Sequence, residues 1–260
     1  MTDSSAQALT EADVTEDAFL GGQLRLRQPR SGHRAGHDAM LLAAATPARP
    51  DDRVVEFGAG VGAAGLAVAK RVAGIKLMLV EIDAELAALA RENAAANAIV
   101  AETIVLDVAS SAAAFAAVGL GPDSVDVVLM NPPFNDAARH RASPDKALAH
   151  VADASTLQSW IHAARRILRS GGMLSLIWRA DAIAEVLAAL DRGFGSLAIL
   201  PVHGEAGKPA IRVLVRAVKG GKAPAQILAG LMLNDEQAVP NERVRDILAG
   251  KGVLPLAIPG

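Results

Sequence analysis

Four residues carry the most specific chemistry in this 260-residue chain: Asn131-Pro132-Pro133-Phe134, directly after the apolar run Val125–Met130. A buried strand ending in Asn-Pro-Pro-aromatic gives a rigid, extended turn, because each Pro fixes its own φ and biases the preceding residue toward extended backbone. The turn leaves a carboxamide beside an aromatic ring. That pair can accept the N–H bonds of a planar nitrogen group and stack on its face. Aromatic residues make up only 3% of the chain and Tyr is absent, which makes a Phe at this place more telling. The packing alternative is a Pro-Pro turn with the ring tucked into the core.

A second constellation is Val54-Val55-Glu56-Phe57-Gly58-Ala59-Gly60-Val61-Gly62, an apolar strand opening through three spaced glycines into a helix. Such glycines allow positive φ and let a ligand lie against backbone N–H groups at a helix N-terminus. The third glycine of a dinucleotide fingerprint is missing: position 63 is Ala63 and the next Gly is Gly65, so no pyrophosphate site is expected. Glu81 closes the following apolar run, 23 residues after Gly58. A carboxylate there can accept from both hydroxyls of a ribose, or it can cap a helix. Asp107, past the next run, could meet an adenine amino group or serve as a turn residue. In this order the features point to a nucleoside-bearing cofactor.

The elements that must position these residues alternate strand and helix in the rhythm of βαβ units. Strands are expected at Arg53–Phe57, Lys76–Glu81, Thr103–Leu106, Val125–Met130 and Met173–Trp178, with a final pair at Gly195–Pro201 and Ile211–Val218. Helices are expected at Val61–Val72, Ala84–Ala96, Ser111–Val118, Asp153–Arg169 and Ala182–Asp191, the fourth stopped by Ser170-Gly171-Gly172. Residues 131–151 read as a loop rich in Pro, Arg and His, long enough to suggest a lid. Residues 1–18 read as a flexible acidic tail and 19–50 as a basic arm leading into a helix. A cofactor-binding domain follows at 51–220, with a C-terminal extension at 221–260.

Strand–EFGAGVG–helix, Glu81, Asp107 and the NPPF turn together resemble a class I S-adenosylmethionine-dependent methyltransferase over roughly residues 50–218. The resemblance implies a Rossmann-like α/β fold: a mostly parallel, seven-stranded twisted sheet, helices on both faces, and an antiparallel last strand. Phe19-Leu20-Gly21-Gly22, Arg27-Gln28-Pro29-Arg30 and Gly36-His37-Asp38-Ala39 with Leu41-Leu42 narrow it to a bacterial group that includes the tRNA(Val) adenine-N6 methyltransferase. Where that group has Thr or Ser before Asp38, this chain has His37. The resemblance implies Glu56, Gly58, Gly60, Gly62, Glu81, Asp107, Asn131 and Asp38 as cofactor residues, and Asn131, Pro132 and Phe134 as the catalytic set.

Basic residues cluster around the expected mouth, and Arg27, Arg30, Arg34, Arg139, Arg141 and Lys208 are the candidate substrate contacts. Arg25, His140, Lys146 and Arg212 belong to the same cluster. Solvated loops are the plainer reading of these charges. A net charge of −2 excludes wholesale coating of nucleic acid but not a local basic patch. The expected partner is therefore RNA, with tRNA the best choice; monomer and homodimer both stay open. The alternatives are a protein glutamine amide or another small planar amine as acceptor, or a scaffold that binds cofactor without turnover.

Apolar residues at 52% indicate a folded protein, and Cys is absent, which removes disulfides and thiolate metal sites and fits a reducing cytoplasm. No apolar run reaches the roughly 18 residues of a membrane span, and the start is polar, so neither anchor nor signal peptide is expected. The six histidines are too scattered for a metal site, and Trp160 and Trp178 are expected in the core.

Overall fold

A computed structural model describes residues 11–31, 34–133, 146–235 and 239–258, with residue 11 and residues 146–153 described by backbone alone. A hairpin of β1 (Val14–Phe19) and β2 (Leu24–Pro29) leads into helix α1 (His37–Ala45). Then β3 (Arg53–Phe57), α2 (Ala63–Arg71), β4 (Lys76–Glu81), α3 (Ala84–Ala96), β5 (Ala101–Val105), α4 (Ala112–Ala117) and β6 (Val125–Met130) alternate. Next come α5 (Lys146–Ile167), β7 (Leu168–Arg179), α6 (Ile183–Leu190), β8 (Phe194–His203) and β9 (Ala210–Lys219). The chain then adds β10 (Gln226–Ile227), β11 (Leu231–Met232) and α7 (Glu242–Leu248).

The large sheet runs β10-β8-β9-β7-β6-β3-β4-β5, with β11 also on β8. Only β9 runs antiparallel to its neighbours; the other pairings are parallel. This is the expected class I methyltransferase sheet of seven long strands. Two additions of two residues each, β10 and β11, bring it to nine and cover the β8 edge. Strands β3, β4 and β6 are buried on both faces, which is why they read as continuous apolar runs. On one face α1, α2, α3, α7 and the hairpin enclose Val54, Leu79, Leu129 and Leu214. On the other, α4, α5 and α6 enclose Phe57, Met130, Phe115 and Trp178.

Several boundaries differ from expectation. Strand β1 begins at Val14, inside the stretch expected to be a tail; it is held by in-register pairing from Val14↔Pro29 to Phe19↔Leu24. Helix α5 starts at Lys146, shortening the expected 131–151 loop, and stops at Ile167 because Leu168 already pairs with Val125. The Gly171-Gly172 turn therefore lies inside β7, where Gly171 takes φ +75 and a side chain at Gly172 would press on the Arg169 and Asp126 carbonyls. Strand β5 starts two residues earlier than expected, at Ala101, in register with Leu77 of β4. Arg212 lies within β9, inside the strand expected at Ile211–Val218.

Candidate active site

The sheet order reverses between β3 and β6, which lie side by side with Phe57 opposite Met130. The next residues, Gly58 and Asn131, therefore open the crevice at the carboxyl ends of the strands, where open α/β sheets bind ligands. Gly58, Gly60 and Gly62 all take positive φ, at +61, +55 and +85. At Gly58 the reason is contact: an added Cβ would stand 2.3 Å from the Trp160 ring, which leans on the loop from α5 and meets the Phe57 ring edge-on. At Gly60 a Cβ would meet nothing within 4 Å, so that stretch of backbone faces open space.

Glu81 is 6% exposed and its carboxylate organises the loop. Its Oε2 accepts from the Gly60 N–H at 2.6 Å, while Oε1 accepts from Ile82 and Asp83 N–H at 2.9 and 3.0 Å. Glu56 lies on the same sheet face, in register with Leu79 of β4, and its Oε2 accepts the Gly65 N–H at 2.7 Å near the start of α2. Burial pushes the Glu56 carboxyl up to about 8; the Gly65 and Ala64 N–H groups pull it down, and the Glu81 charge adds to the rise. Glu56 thus grips the helix that the glycine loop feeds. Asp107 is exposed and accepts from the Ala109 N–H at 2.8 Å, the turn geometry that was its simpler reading.

Asn131 is half-buried and Pro132 buried. The Asn131 Oδ1 is enclosed and has no hydrogen-bond partner among the described residues. Phe134, Arg139, His140 and Arg141 lie outside the described residues, as does the Lys146 side chain.

The arm is less basic in space than in sequence. Arg25 pairs with Glu16, Arg27 with Glu92 and Arg34 with Asp17, and Arg30 donates to the Ala12 carbonyl. The segment from Arg25 to Arg34 carries no acid of its own, and the neutralising acids come from β1 and α3. Gln28 is 1% exposed and ties Asp17 to the Ala35 N–H. Asp38, at the start of α1, pairs with Arg212 of β9 at 3.0 Å. Lys208 is exposed in the β8–β9 turn and His37 exposed at the head of α1. Among the described residues no group of three or more His, Asp or Glu could hold a metal, and no helix is long and apolar enough to cross a membrane.

The fold therefore brings Gly58, Gly60, Glu81 and Asn131 to one crevice, while Asp38, Arg25, Arg27 and Arg34 are held in ion pairs. Sequence reasoning missed three participants. Ile82 is 63% exposed directly after Glu81, an apolar surface at a strand end. Trp160 is partly buried against Gly58 rather than lost in the core. Asn93, wholly buried on α3, was signalled by a poor helix former in the middle of an Ala-rich helix.

The family model for the methyltransferase small domain matches residues 31–204. A tRNA1(Val) (adenine(37)-N6)-methyltransferase of Aeromonas hydrophila is 29% identical over 204 residues, covering 78% of this chain and 84% of the relative. A release factor glutamine methyltransferase of Chlorobaculum tepidum is 26% identical over 168 residues, covering 62% of this chain and 56% of that protein. The crystal structure of a predicted O-methyltransferase of Agrobacterium tumefaciens superposes with a TM-score of 0.70 at 33% identity, covering 84% of this chain and 98% of that one.

Proposed function

The chain belongs to the methyltransferase small-domain family, a class I methyltransferase that uses S-adenosylmethionine, and from that premise we propose that it methylates the exocyclic N6 amine of adenine in RNA, with tRNA as the substrate class. The observation that carries this reading is the Asn131 Oδ1, enclosed, without a partner among the described residues, and next to the glycine loop. A buried acceptor left without a bond costs about 1–3 kcal/mol, a cost that a ligand N–H removes.

S-adenosylmethionine supplies an electrophilic methyl group on a sulfonium. The task of the protein is to hold the acceptor nitrogen in line with it. An amine on a purine ring is a poor nucleophile, because its lone pair is delocalised into the ring. Asn131 Oδ1 and the Pro132 carbonyl accept its two N–H bonds, favour a pyramidal nitrogen and so free the lone pair. The same two acceptors stabilise the positive charge that grows on nitrogen as the bond forms. Phe134 stacks on the base, a contact of about 1–3 kcal/mol.

For the cofactor, Gly60 offers an open backbone cradle and Glu81 an acceptor for ribose hydroxyls, with lone-pair capacity beyond its three backbone bonds. Ile82 offers the purine an apolar face, and Asp107 stands at the next strand end. Glu56 acts behind the loop by holding α2. Arg27, Arg30, Arg34 and Lys208, with Arg139 and Arg141 from outside the described residues, are the proposed contacts to the RNA backbone. An exposed ion pair is worth about 0.2–1 kcal/mol, so a phosphate can displace the carboxylates that hold the arm arginines.

A protein glutamine amide also offers two N–H groups to Asn131, and the Chlorobaculum relative supports it as the second reading. Nucleoside mass spectrometry of RNA from cells with and without the protein separates the two. Loss of one N6-methyladenosine supports the proposal; an unchanged RNA profile together with a lost methyl-glutamine defeats it.

A further inference from the structure

Two asparagines one turn apart, Asn93 within α3 and Asn97 at its C-cap, fasten the N-terminal hairpin. Asn97 accepts the Arg25 N–H at 3.0 Å and donates to the Arg25 carbonyl at 2.7 Å. Asn93 does the same for Arg27, at 2.8 and 3.1 Å. Each carboxamide thus behaves as a peptide group of a neighbouring strand and closes the outer edge of β2. The spacing permits it: four helical residues rise about 6 Å, and two strand residues advance about 6.7 Å. The second N–H of each amide goes to a different place. Asn97 donates to the Asn93 carbonyl at 2.8 Å, within α3. Asn93 donates at 3.0 Å to the carbonyl of Val61, inside the Gly58–Gly62 loop. Beside that bond the side chain of Val14, from β1, packs with Val61 and Leu89.

We propose that Asn93 is a positioning residue for S-adenosylmethionine, joining the hairpin to the cofactor loop so that order in one strengthens the other. It touches neither cofactor nor acceptor. It fixes the Val61 carbonyl, and through it the pitch of backbone between Gly60 and Gly62. Because coupling between two sites is reciprocal, cofactor in the loop also tightens the hairpin, and the hairpin carries Arg27 and Arg30. The inference rests on S-adenosylmethionine as cofactor and not on the identity of the methyl acceptor.

Calorimetric titration with S-adenosylmethionine is compared for the wild type, Asn93→Asp and Asn97→Ala, with thermal midpoints measured on the same samples. Asn93→Asp keeps the acceptor for the Arg27 N–H and loses the donor to the Val61 and Arg27 carbonyls. The expected result is a Kd raised about tenfold, inside the usual range of coupling between sites. Asn97→Ala keeps Kd within about threefold although it lowers the midpoint as far, because its lost bonds stay outside the loop. Amide hydrogen exchange supplies a readout that simple loss of stability does not mimic. S-adenosylmethionine slows exchange at Arg27 in the wild type and Asn97→Ala, and that protection is lost in Asn93→Asp while persisting at Gly60. If Asn93→Asp does not fold, Asn93→Ser is measured in its place. An unchanged Kd in the Asn93 variant, or a loss of affinity in both variants that tracks their loss of stability, overturns the proposal. None of these measurements involves a methyl acceptor, so they fail separately from the adenine reading.

Discussion

Asn93 and Asn131 are the same side chain in opposite circumstances. Asn93, at the seam between α3 and the hairpin, is wholly buried and bonds through both its oxygen and its nitrogen. Asn131, at the end of β6, has an enclosed oxygen with no partner among the described residues. A fold satisfies a buried amide when the amide is framework, and leaves it open where a ligand completes it. Residue type does not distinguish the two; the count of completed bonds does.

The comparison breaks most directly at Asn131. Asn131→Ala is expected to lower turnover by at least about 10²–10³-fold, the usual loss for one oriented polar contact to the transition state. Its affinity for S-adenosylmethionine should stay within a few-fold, and its thermal midpoint should not fall, since an unsatisfied group is removed. A large loss of stability would mean that Asn131 is framework like Asn93.

The glycine loop sharpens the contrast between framework and open site. Gly58→Ala combines left-handed strain of about 1–2 kcal/mol with a clash against Trp160, and should lower the midpoint by roughly 4 °C or more. Gly60→Ala meets no protein atom, so it should cost less stability while weakening cofactor binding. Equal midpoints would show that Trp160 yields freely.

Glu56 gives a smaller, pH-dependent effect. Its carboxyl lies at about 8 in the fold against the ordinary 4.5, so the protonated form is the one the fold favours. Its contribution to stability is full below the ordinary value and is lost as pH rises through the folded value. Glu56→Gln should remove that loss, so that urea midpoints at about pH 5 and pH 9 lie closer together than in the wild type. The smallest effect is expected at Lys208, exposed and peripheral. Lys208→Ala should weaken RNA binding a few-fold and reduce the salt slope by about one, as measured by filter binding across salt concentrations.

Much of the site was legible because it is local. Strands β3, β4 and β6 carry their own apolar runs, and Gly58, Glu81 and Asn131 follow at their ends, so chain order alone placed them. The hairpin was missed although Leu24-Arg25-Leu26-Arg27-Gln28 alternates with the period of a strand and Gly21-Gly22 marks its turn. The charges of Arg25, Arg27 and Arg30 mask that pattern. Its arginines looked unopposed because Glu16 and Glu92 reach them only through folding. The α5–β7 boundary depends on Leu168 meeting Val125, a partner that no local pattern reveals. Asp107 shows the limit of position as an argument: it stands at the expected strand end, yet one of its oxygens already holds its own turn.

The contact between Trp160 and Gly58 also makes the protein its own optical probe. The chain has two Trp and no Tyr, and Trp178 is sealed in the core at 0% exposure. Any change in indole emission when S-adenosylmethionine is added should therefore come from Trp160, whose ring rests on the first glycine of the loop. Cofactor loading can then be followed in real time without a label, and Trp160→Phe should erase the signal.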